Sequence, residues 1–128
     1  MAHRRETSAR TLGVEWWSAG DGFTWDSTDM ERTEAVARAA WDVARATLLH
    51  GSRDLVVLDE ITYPMTWGWI EVADVVAAIR DRPAHVNVIA TGRAAPAALC
   101  DAADTVTEMA SVKHAFDAGI NAMRGIEF

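Results

Sequence analysis

The sequence predicts an α/β domain, a mostly parallel sheet with helices on both faces. Two observations carry that prediction. Short apolar runs alternate with longer segments of helical period, in the order β, α, β, α, β, α, β, which is how strand–crossover–strand units are written in sequence. The second is Leu55-Val56-Val57-Leu58, an unbroken apolar run that leads straight into Asp59 and Glu60. Such a run is the pattern of a strand covered on both faces, and its carboxyl end is where open α/β sheets bind ligands. Acids at that position suit a Mg²⁺ held against phosphates. A strand that ends in a solvated turn would read the same way, so the hexamer alone leaves both readings open.

Taken in order, residues 1–12 are polar and without period, and Val14 to Trp17 reads as a short strand closed by a turn over 18–22. Phe23 and Trp25 follow in or just after this glycine-rich loop. Thr28 and Glu31 have the spacing of a capping box, which opens a helix ending at Gly51. Its apolar stripe is Val36, Ala40, Val43 and Thr47, widened by Ala39, Ala44 and Leu48, and Glu34 stands four residues before Arg38 on the other side. The central strand runs from Asp54 to Asp59, and an aromatic connection over Ile61 to Gly68 leads into a helix from Trp69 to Asp81. The aromatics of 63–69 are expected to cover the sheet edge. His85 to Ala90 is the next strand, closed by Thr91-Gly92-Arg93. Pro96 opens a short helix, Asp104 to Glu108 alternates weakly as a last strand, and Val112 to Met123 is a short helix or loop.

Composition narrows the classes of function. The chain has 128 residues, enough for one domain at most. A net charge of −7 argues against a nucleic-acid partner, which would be met by clustered Lys and Arg. No apolar run reaches the length of a membrane span, and the basic N-terminus is followed by no apolar signal core. The lone Cys100 suits a reducing cytosol, so a cytoplasmic protein is expected. The four histidines share no metal-ligand spacing with it.

Five strings then occur in register: Gly-Phe-Thr-Trp at 22–25, Leu-Val-Val-Leu-Asp-Glu at 55–60, Thr-Gly-Arg at 91–93, Ala-Asp-Thr-Val-Thr-Glu-Met at 103–109 and Val-Lys-His-Ala-Phe-Asp-Ala-Gly-Ile at 112–120. In order and spacing they resemble the ATP:corrinoid adenosyltransferases of the P-loop type, which act on cob(I)yrinic acid a,c-diamide and cobalamin. The resemblance runs from about Gly13 to Phe128. It implies a truncated P-loop NTPase-like (RecA-like) domain that transfers the 5′-deoxyadenosyl group of ATP to Co(I), with release of triphosphate. It also implies that Asp59 and Glu60 serve catalysis at the Mg²⁺–phosphate end. Phe23 and Trp25 would form an aromatic wedge under the corrin, and Thr91, Gly92 and Arg93 would contact the nucleotide. A homodimer and a reductase supplying Co(I) are the implied partners. By residue type alone, Phe23 and Trp25 read first as core or lid aromatics, Arg93 as a solvated arginine, and Lys113-His114 as a surface pair.

Family members of this type open with a glycine-rich phosphate loop, G-x-x-x-x-G-K-[ST]. None of the eight glycines here precedes a lysine, because Lys113 is the single lysine. The expectation is therefore a single domain over 1–128 that forms the C-terminal portion of such a fold. Uncovered apolar surface is expected beside the Leu55–Leu58 strand. A non-catalytic corrinoid-binding or partner-binding module, or half of a split enzyme, is the alternative.

Overall fold

The structure, a computed structural model, describes residues 2–18, 27–124 and 126, with backbone only at 2, 3 and 27–29. It divides into two compact units, one made of 1–17 with 107–128 and the other of 18–106.

In the first unit, α1 (Ala2–Thr11) is a helix where a polar segment without period was expected. Its polarity on all sides hides it from any search for a stripe. Local bonds hold it instead: Arg10 pairs with Glu6 at 2.9 Å one turn away, and the Thr11 hydroxyl donates to the Thr7 carbonyl. Gly13, at φ 76°, closes it, with Gly13 N–H on Arg10 O and Val14 N–H on Ala9 O. That double closure is a Schellman motif, and only glycine takes the left-handed position freely. It accounts for the absence of the strand expected over 14–17: the Val14 amide is already bonded to the helix, and Trp17 is 71% exposed. The 112–123 segment forms one 3₁₀ turn, Ala115–Ala118, with the His114 ring accepting the Phe116 N–H at its start.

The second unit is α/β. Its order is α2 (Ser27–His50), β1 (Leu55–Leu58), α3 (Thr62–Thr66), α4 (Val72–Asp81), β2 (Asn87–Ala90) and α5 (Ala97–Ala102). β1 and β2 pair in parallel, Leu55 opposite Asn87 through Leu58 opposite Ala90, and the helices α3 and α4 form the crossover a parallel pair needs. Asn87 N–H on Asp54 O and Thr91 N–H on Leu58 O carry the ladder one step beyond each end.

The core lies on one side of this pair. Leu58, with Val56 and Val88 partly buried, packs with Trp41 and Leu48 of α2, Val75, Ala78 and Ile79 of α4, and Leu99 of α5. The buried stripe of α2 is thus Trp41, Ala44 and Leu48, rotated from the expected one: Val43 is 41% exposed, and Trp41 takes the core position by its size. The other face of the sheet carries Leu55, Val57 and Ile89, each about half exposed (52%, 54% and 49%), where covering helices were expected. This is the uncovered apolar surface foreseen beside the central strand.

Three further differences have local causes. The aromatic connection contains α3, and α4 starts at Val72 rather than Trp69. Trp69 N–H and Ile70 N–H both donate to Pro64 O, which fastens them to the end of α3. Trp67 packs its ring at a tilt against Tyr63 and against Trp69, with centroids 5.5 and 4.8 Å apart. Residues 104–108 form no strand; all five are exposed, and Val106 alone is apolar among them. The i,i+4 pair Glu34–Arg38 is present at 2.7 Å, and the Arg38 Nε–H also donates to the Trp69 carbonyl. Among the described residues, no helix is long and apolar enough to cross a membrane.

Candidate functional site

The parallel register decides what meets at the carboxyl edge of the sheet. Because Leu58 lies opposite Ala90, the residues just beyond them, Asp59-Glu60 and Thr91-Gly92-Arg93, emerge side by side. Thr91 joins the two strand ends. Its hydroxyl donates to Asp59 Oδ1 at 2.8 Å, and its oxygen accepts the Glu60 N–H at 2.9 Å. One threonine thus orients the Asp59 carboxylate and holds the Glu60 backbone. That backbone needs holding. Glu60 sits at φ 60°, a left-handed conformation rare outside glycine and concentrated at functional sites.

A second contact fastens the other half of the edge. Thr62, the first residue of α3, is 2% exposed, and its hydroxyl donates to the Arg93 carbonyl at 2.8 Å. Gly92 passes directly over it at φ 149°. A Cβ on Gly92 would overlap the Thr62 hydroxyl and stand 2.7 Å from Thr62 Cβ. The glycine of Thr-Gly-Arg is there for that close approach. Sequence reasoning missed Thr62 because the two residues are 30 apart and their meeting depends on the strand register. A glycine following a strand-end threonine was the one available hint of a close backbone neighbour.

Asp59, Glu60, Gly92 and Arg93 are exposed, while Thr91 is half-buried. Five of the seven residues singled out in the sequence therefore converge on one edge. The other two, Phe23 and Trp25, lie outside the described residues. No group of three or more His, Cys, Asp or Glu able to hold a metal occurs among the described residues. The described residues thus build no closed protein cage for a cation. Two adjacent carboxylates with a hydroxyl suit a Mg²⁺ that takes most of its ligands from water and phosphate oxygens.

Fold and site together define the class: an α/β unit whose parallel strand pair brings acids, a hydroxyl and an arginine together at its carboxyl edge, the end at which open α/β sheets bind ligands. Within that class the chain belongs to the ATP:corrinoid adenosyltransferase BtuR/CobO/CobP family, whose model matches residues 2–128. It is 48% identical over 115 residues to a corrinoid adenosyltransferase of Pseudomonas aeruginosa, covering 90% of this chain and 57% of that protein. Against a corrinoid adenosyltransferase of Escherichia coli it is 41% identical over 116 residues, 91% of this chain and 59% of the relative. The corrinoid adenosyltransferase CobA of Salmonella typhimurium is 40% identical over the same shares. The chain thus spans a little under three fifths of the length of these relatives.

Proposed function

We propose that this chain carries the Mg²⁺–triphosphate and corrinoid-facing part of an ATP:corrinoid adenosyltransferase. The reaction is attack of a Co(I) corrinoid on the 5′ carbon of ATP. A cobalt–carbon bond forms, the 5′ carbon–oxygen bond breaks, and triphosphate leaves with its electrons. The observation that carries the reading is the Asp59–Thr91–Glu60 linkage at the strand ends, in a chain that matches the family from residue 2 to 128.

Each residue of the strand edge then has a task that its geometry suits. Asp59 gives one carboxylate oxygen to Thr91 and keeps the other for a cation or its bound water. Glu60, its backbone fixed, adds the second carboxylate. A bound Mg²⁺ would neutralise charge on the leaving triphosphate. Arg93 has a guanidinium suited to phosphate oxygens, with a main chain anchored at Thr62. Gly92 lets that main chain lie close, so its role is backbone placement more than contact. Phe23 and Trp25 would press on the lower face of the corrin and displace the axial ligand, easing reduction of cobalt. The corrinoid is cob(I)yrinic acid a,c-diamide or cobalamin. A homodimer, a separate reductase and a cytoplasmic location belong to the same reading.

Two titrations of the chain test it. Mg²⁺ with inorganic tripolyphosphate should bind, and Asp59→Asn should weaken that binding about tenfold, ~1.4 kcal/mol. Cob(II)alamin should bind with a change in its visible spectrum that Trp25→Ala reduces. Absence of both responses would remove the reading.

A further inference from the structure

We propose that Thr62 is a positioning residue that sets where Arg93 stands at the strand edge. The inference rests on the reading of that edge as a phosphate site, and it assigns a task to a residue outside the acidic pair and the Thr-Gly-Arg turn. Thr62 is the buried polar residue of the described chain, 2% exposed, and it begins a helical turn whose neighbours Ile61 and Met65 are in the core. It is therefore a fixed point.

A hydroxyl has one hydrogen to give, and Thr62 gives it to the Arg93 carbonyl at 2.8 Å. The backbone just before that carbonyl lies against the Thr62 side chain at Gly92, and Ala94 just after it turns at φ 49°. The main chain thus meets Thr62 at two successive residues, Gly92 and Arg93, and turns away at Ala94. The Arg93 guanidinium, by contrast, makes no hydrogen bond or ion pair among the described residues, and the side chain is exposed. An anchored backbone fixes where that side chain starts, so that only its own rotamers remain to be ordered when the guanidinium meets an anion. The neighbouring Thr91 serves the acids of β1 in the same way, so two threonines divide the edge between its carboxylates and its arginine.

The test is a double-mutant cycle on the whole chain, with inorganic tripolyphosphate and Mg²⁺ as the probe. Thr62→Val keeps the shape and removes the hydroxyl, while Thr62→Ser keeps the hydroxyl. Loss of one hydrogen bond predicts affinity weakened about 3- to 10-fold in Thr62→Val, with Thr62→Ser within about twofold of wild type. Thr62→Val should add nothing in an Arg93→Ala background, because its effect passes through Arg93. An undiminished effect in that background, or none in the wild-type one, would overturn the proposal. If the wild-type chain binds no tripolyphosphate, the phosphate reading falls by itself, and NMR decides the positioning claim. Thr62→Val should then shift the Arg93 amide and Nε–H resonances while those of Val75 and Leu48 stay in place. Unmoved Arg93 resonances would contradict it.

Discussion

The two faces of the β1–β2 pair are made of nearly the same residues and have different fates. Val56, Leu58 and Val88 turn toward α2 and α4, whereas Leu55, Val57 and Ile89 are about half exposed. β-branched and aliphatic side chains sit on both. What separates the faces is the cover available in this chain, and that is a property of topology rather than of strand composition. An apolar run shows that a strand can be buried on both sides; it does not say what does the burying.

Substitutions on the two faces should therefore differ in kind. The largest expected effect is on the covered side: Leu48→Ala, at a position with 0% exposure, should cost about 2–5 kcal/mol in urea unfolding. A loss below about 1 kcal/mol would mean that α2 is not firmly seated on the sheet. At the carboxyl edge Gly92→Ala combines an overlap with Thr62 and a backbone strained for any L side chain, for roughly 2–4 kcal/mol. The paired variant Gly92→Ala/Thr62→Ala should recover part of that loss, because it removes the overlapping side chain. Thr91→Val breaks both links between the strand ends, and about 1–2 kcal/mol is expected by the same measurement. The smallest effect belongs to the open face. Ile89→Lys should change stability by less than ~1 kcal/mol while reducing self-association in sedimentation. A large destabilisation there would show that the face is covered after all.

The segment from Asp54 to Ala102 was the most legible part of the sequence. Its apolar runs, its helical periods and Pro96 locate β1, α4, β2 and α5 within a few residues, because there local pattern and tertiary burial agree. Elsewhere they part. With two alanines as its only apolar residues, α1 has no stripe to find, and the Val14 amide is taken by a helix closure that the turn residues around it disguise. The weak alternation over 104–108 offers a single apolar residue and pairs with no strand among the described residues. On α2, Trp41 outweighs the smaller residues that define a neater period, which rotates the buried face.

The candidate site was legible as parts and not as an arrangement. Acids after one apolar run and Thr-Gly-Arg after the next point to strand ends. The separation of 32 positions between Asp59 and Thr91 conceals that one hydroxyl joins them. Thr62 shows no pattern of its own; its meaning comes from the glycine laid across it. Polar contacts between strand ends follow from register, and register follows from which residues the core accepts.

The central claim is that Asp59 and Glu60 form the cation side of a triphosphate site. Its most direct test is the Mg²⁺ dependence of tripolyphosphate affinity in the wild-type chain and in Asp59→Asn. The wild-type chain should gain at least about tenfold in affinity when Mg²⁺ is added, ~1.4 kcal/mol. Asp59→Asn should lose that gain while keeping the Mg²⁺-free affinity that Arg93 provides. An equal Mg²⁺ gain in both proteins would contradict the account.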